Sequence, residues 1–186
     1  MGRGAGGGGR GRVPIKISEG IAGRFAGAPR EHIALVPGVV VRPEREYEID
    51  SKRLGRQRVV GSTNLDTGEI TLAKGATGAT ARHELGHAVF ELGLTTGQRS
   101  IIEREYSRSR RRITGGGRFE DLSYTERSRL GNRNWVSGYG FMNSRESFSE
   151  AYMMWTNPVT GRYRERVARV APKLAAVLAE TTGIGI

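Results

Sequence analysis

The chain has 186 residues and a mass of 20.3 kDa, enough to bury one domain-sized core, and a formal net charge of +11 that favours polyanions as neighbours. It contains no cysteine, which excludes disulfides and thiolate metal sites and leaves any zinc to histidine and carboxylate ligands. No apolar run approaches the length of a membrane span and no signal-type segment opens the chain, so a soluble protein without a signal peptide of its own is expected. Of the 30 basic residues only Lys16, Lys52, Lys74 and Lys173 are lysine. Arginine suits bidentate binding of phosphate or carboxylate, and a GC-biased genome would write the same excess.

Residues 1–13 are almost entirely glycine and arginine and read as a disordered linker or tail; residues 14–186 read as a single domain. Ile17, Ile21 and Phe25 are spaced for a short amphipathic helix over Ile17–Ala28, ended by Pro29. IALVPGVVV has strand-type residues interrupted by Pro37 and Gly38, and RVVGSTNLDTGEITLA predicts two strands around a turn at Asp66 and Gly68. TARHELGHAVFELG follows as a helix, with Thr80 as N-cap, Gly93 as C-cap, and Leu85, Ala88, Val89 and Leu92 as a core stripe. Further helices are expected over Gln98–Arg112, within Phe119–Leu130, over SRESFSEAYMMW until Asn157 and Pro158, and from Gly161 to Glu180 with a break at Pro172. A small early sheet followed by helices makes the fold class α+β.

His83 and His87 are four apart, so a helix stacks them on one face where both imidazoles can bind one ion. Glu84 lies beside them, angled toward the ion, where it can take a proton from an attacking water and pass it on. Two histidines leave a catalytic zinc one protein ligand short. Glu91 lies about 6 Å further along the helix axis and points past such an ion, into a supporting or surface role. A glycine turn and third histidine after the motif are absent, since Phe90 and Gly93 occupy those positions, and His32 has no motif around it. A downstream carboxylate remains. Glu146 and Glu150, four apart on SRESFSEAYMMW, share a helix face; if one binds the ion, the other is placed to accept a hydrogen bond from a ligand imidazole.

HELGH, then Tyr139–Gly140, then E-x-F-x-E-A-Y on a helix resembles the catalytic domain of anthrax toxin lethal factor and its relatives, among them Pro-Pro endopeptidases and the metallopeptidase domains of phage MuF-type minor head proteins. The resemblance spans roughly residues 59–173. It implies a zincin-like domain holding Zn2+ through His83, His87 and Glu146, with Glu150 supporting a ligand imidazole, Glu84 as general base and Tyr139 donating to the oxyanion. It also implies a peptide or protein substrate paired along an edge strand within Val59–Leu72, in a cytoplasmic, virion-associated or toxin-delivered setting. Ser147 and Ser149, which flank Phe148, depart from the apolar residues usual there. The competing reading is an inactive zincin-fold module that binds nucleic acid or capsid partners through its arginines, chiefly Arg108 and Arg110–Arg112. The intact Glu84, Glu146 and Tyr139 favour catalysis.

Overall fold

A computed structural model describes residues 19–51, 55–159 and 161–186; the Gly/Arg-rich segment and the Ile17 start of the first expected helix lie outside them. Two short helices, α1 (Glu19–Ala22) and α2 (Arg30–Ile33), lead into strands β1 (Val39–Arg42), β2 (Tyr47–Ser51), β3 (Gly55–Val59), β4 (Gly61–Thr63) and β5 (Ile70–Ala73). The helices α3 (Gly78–Ala88), α4 (Thr96–Ile113), α5 (Tyr124–Asn134), α6 (Ser144–Trp155), α7 (Arg162–Val170) and α8 (Pro172–Thr182) make up the remainder. The arrangement is α+β, strands first and helices after, and among the described residues no helix is long and apolar enough to cross a membrane.

One sheet has the order β1-β5-β4, with β1 parallel and β4 antiparallel to β5. The central strand buries Ile70, Leu72 and Ala73, while β4 lies at an edge. The β4–β5 turn forms because Asn64 Oδ1 accepts the N–H groups of Asp66 and Thr67, and Gly68 supplies a positive φ of 77°. Arg58 and Val59, expected in that first strand, belong instead to a separate β2–β3 hairpin. Tyr47 ties the hairpin to the sheet: its hydroxyl lies 2.7 Å from Ser62 Oγ and donates to Thr71 O at 2.8 Å.

The histidine helix differs from expectation at both ends. Thr77, not Thr80, is the N-cap; its hydroxyl accepts the Thr80 N–H at 3.2 Å. At the other end α3 passes into a π-helical turn over Val89–Gly93. The extra residue in that turn rotates Leu92 off the core stripe, leaving it 41% exposed over Gly68, while Phe90 turns inward and is buried. Gly93 is therefore no left-handed cap. A Cβ there would stand 2.9 Å from Leu35 Cδ1, so its small size serves packing. Arg99 donates to the Phe90 and Glu91 carbonyls at 3.3 and 2.8 Å, satisfying groups at the helix end.

The remaining helices start where side chains supply caps. Thr95 with Gln98 and Ser123 with Glu126 form capping boxes on α4 and α5. The expected break at Pro172 is a restart: Glu105 from α4 is buried and accepts the N–H groups of Lys173 and Leu174 at 3.0 and 2.6 Å. A continuous core joins Phe25, Leu72, Leu85, Phe148, Tyr152, Trp155 and Leu178.

The packing that matters most for the site is α3 on α6. A Cβ on Gly86 would lie 2.8 Å from Ser149 Cα, so the two backbones cross at a glycine and a serine. Ser149 is fully buried there, and Ser147 is buried too, accepting Trp135 Nε1–H at 2.9 Å while donating to Gly140 O. Larger apolar side chains at these two positions would hold the helices apart or leave the indole N–H unpaired.

Candidate metal centre

The crossing turns the chemical faces of both helices toward each other. His83, His87 and Glu146 each present a ligand atom, all within 4.8 Å of one another. Glu146 Oε2 lies 3.2 Å from His83 Nε2 and 3.4 Å from His87 Nε2. Asn143 caps α6 through the Glu146 N–H at 2.9 Å and so fixes the first turn that carries this carboxylate.

The other ring nitrogen of His83, Nδ1, is 2.9 Å from Glu150 Oε1. In the neutral imidazole that contact would keep the proton on Nδ1 and leave Nε2 to bind a cation. Burial disfavours a charged imidazole, but Glu146 and Glu150 outweigh it and hold the His83 pKa at about 10. Burial likewise opposes the Glu146 carboxylate, yet the two imidazoles lower its pKa to about 2. Glu150 is shifted downward as well, against burial, by His83 and by a hydrogen bond from Ser137.

Glu84 stands beside this group and is buried. Burial raises its pKa, partly offset by His87, His83 and the Thr63 hydroxyl. Thr63, on edge strand β4, lies 2.8 Å from both Glu84 Oε2 and the Glu84 backbone oxygen. Two residues earlier, a Cβ on Gly61 would come within 3.0 Å of Glu84 Oε1. The missing side chain lets the carboxylate lie against the sheet edge.

Tyr139 occupies a tight loop between α5 and α6, its ring centroid 5.7 Å from that of His83. Gly138 is required by close approach, since a Cβ there would meet Ser128 O at 2.6 Å, and Gly140 packs tightly, where a Cβ would stand 3.2 Å from Glu150 Cβ. Asn132 Oδ1 accepts the Gly138 N–H at 2.7 Å and Ser137 Oγ the Gly140 N–H at 2.8 Å. Burial, then the charges of Glu146, Glu84 and Glu150, push the Tyr139 pKa upward, so its hydroxyl stays protonated as a donor.

The residues singled out from sequence thus fall into one cluster: His83, His87, Glu84, Tyr139, Glu146 and Glu150. Glu91 falls outside it, paired to Arg145 at 2.6 Å. His32 is buried in the core, with Nδ1 2.9 Å from the Tyr152 hydroxyl. Thr63, Ser137 and Asn143 were missed. Asn143 had a signal, an asparagine three residues before a glutamate at a helix start, whereas Thr63 and Ser137 act through tertiary contacts.

The donor set fits a divalent cation. Three carboxylates face two imidazoles, so the cluster keeps a negative surplus even with His83 protonated. Glu146 Oε2 and His87 Nδ1 are buried without a well-directed hydrogen bond, and Oε2 is the atom on which both Nε2 atoms converge. Two nitrogens and one carboxylate oxygen are a common donor set for zinc. No family model matches this chain, and no curated protein or solved structure matches it.

Proposed function

We propose that this chain is a zinc-dependent endopeptidase with a zincin-like site of the lethal-factor-like type. The observation that carries the reading is the convergence of His83, His87 and Glu146 on one point beside a buried glutamate. These three side chains would hold zinc, which would supply a Lewis acid to polarise the scissile carbonyl and acidify water.

Glu84 takes the proton of the attacking water as its oxygen bonds to the carbonyl carbon, then delivers it to the nitrogen as the C–N bond breaks. Its raised pKa suits both halves of that transfer, and Thr63 holds its carboxylate in place. Tyr139 donates its hydroxyl to the negative charge developing on the carbonyl oxygen. Glu150 keeps His83 in the tautomer that leaves Nε2 available. The edge of β4, which pairs with no second strand among the described residues and carries Gly61 and Thr63, offers backbone groups to an extended peptide next to Glu84.

The test compares wild type and Glu84→Gln, both zinc-loaded, in a digest of a random peptide library. Cleavage is expected to fall by roughly 10²- to 10⁴-fold in the variant while zinc content stays unchanged. Equal cleavage by both proteins, or none by the zinc-loaded wild type, would contradict the reading. A polyanion contact in addition to catalysis is supported by Arg104, Arg108, Arg111 and Arg112, all exposed on α4.

A further inference from the structure

Beside the Tyr139 loop the exposed flank of α5 forms a shallow cavity of about 440 Å3, lined by Tyr124, Thr125, Ser128, Arg129, Asn132 and Arg133. Every lining side chain can donate a hydrogen bond, and none is a carboxylate. Arg129 and Arg133 are one helical turn apart and so present their guanidinium groups along the same face. Arg133 has no acidic partner among the described residues. The nearest acid to Arg129 in sequence, Glu126, interacts with it electrostatically at the surface while accepting the Ser123 hydroxyl at 2.7 Å and N–H at 2.8 Å in the α5 capping box.

This cavity adjoins the loop that carries Tyr139. Asn132, which lines it, holds Gly138, and Ser128 packs directly against that glycine. Tyr139 is the next residue. Tyr124 and Tyr139 are 66% and 48% exposed. Tyr124, Arg129 and Arg133 thus line a cavity that adjoins the loop carrying Tyr139.

We propose that this cavity is a specificity subsite that receives a carboxylate of the peptide substrate, a proposal that rests on the endopeptidase reading. Guanidinium groups pair with carboxylates through two parallel hydrogen bonds, and a cavity lined by two arginines and no carboxylate favours a ligand that carries negative acceptor charge. The carboxylate comes either from an aspartate or glutamate side chain near the scissile bond or from a free C-terminus.

The experiment uses the zinc-loaded protein and fluorogenic peptides derived from the best library sequence. Matched pairs carry Glu or Gln at each position within four residues of the cleaved bond, and a second set carries a C-terminal acid or amide. One pair is expected to show a preference for the acid of roughly 10- to 100-fold in kcat/KM. The Arg129→Gln/Arg133→Gln double variant should bring that ratio to about one, and Arg129→Glu/Arg133→Glu should favour a Lys peptide at the same position. Binding of the same peptides to Glu84→Gln protein, read by anisotropy, should follow the same order. A wild type that cleaves every pair equally overturns the subsite and leaves the peptidase reading intact, as does an acid preference that survives in the double variant. A zinc-loaded wild type that cleaves no peptide overturns both.

Discussion

Where α3 crosses α6, His83, His87, Glu84, Glu146 and Glu150 bury their polar ends against one another; along α4, Arg104, Arg108, Arg111 and Arg112 hold theirs in water. The first arrangement costs desolvation at every group and is tolerable only because opposite charges face each other at close range. The second costs almost nothing, since a long arginine stem leaves its guanidinium solvated. The buried set is held by mutual contacts in an arrangement that could hold one ion, whereas the exposed set is diffuse and screened by salt. Substitutions should therefore have large effects at the crossing and small ones on α4.

The largest effect is expected at the point of closest approach. In Gly86→Val a branched side chain would meet the Ser149 backbone, where a single Cβ would already be 2.8 Å away. A loss of roughly 1–3 kcal/mol or more is expected by chemical denaturation, with metal affinity falling alongside because the ligands sit on separate helices. Retained stability would show that α3 and α6 do not need that contact. Next comes Glu150→Gln, which keeps the shape but weakens the acceptor for His83 Nδ1. Zinc affinity, measured by competition with a chelator, should drop about 10- to 100-fold. An unchanged affinity would remove Glu150 from the site.

A pH series on metal-free protein gives a graded effect. His83 has its pKa raised from 6.5 to about 10, so its contribution to stability is complete below pH 6.5 and lost as pH rises through 10. Glu146 has its pKa lowered from 4.5 to about 2, so its contribution is complete above pH 4.5 and lost as pH falls through 2. Between 4.5 and 6.5 both are present, and the midpoint of thermal unfolding should decline on either side of that window. Flat behaviour from pH 6.5 to 10 would contradict the His83–Glu146–Glu150 coupling. The smallest effect belongs to α4: Arg108→Ala/Arg112→Ala should change stability by no more than about 0.5 kcal/mol. If α4 meets a polyanion, the same pair should lower the salt dependence of DNA binding by roughly one log unit per arginine.

The two regions were also unequally legible. The pairing of His83 with His87 follows from helix geometry alone, and the same geometry set Glu91 apart from them, where it pairs with Arg145. Glu146 and Glu150 could be placed on one face, but ranking them took the Tyr139 register, because helix spacing is symmetric between them. Leu92 was misplaced because a π-helical turn inserts a residue that periodicity does not reveal. The β2–β3 hairpin was missed because its strands carry alternating charge around few apolar residues. Ser147 and Ser149 looked anomalous in sequence, and only the helix crossing and the Trp135 indole explain them. Thr63 could not have been found, since its bond to Glu84 joins residues 21 apart across a strand and a helix.

The most direct measurement is zinc content by elemental analysis after zinc loading and exhaustive dialysis, for wild type, Glu84→Gln and Glu146→Ala. One zinc per chain is expected in wild type and in Glu84→Gln, and a substoichiometric amount in Glu146→Ala. No zinc in wild type, or a full equivalent retained by Glu146→Ala, would contradict the assignment of His83, His87 and Glu146 as a single metal site.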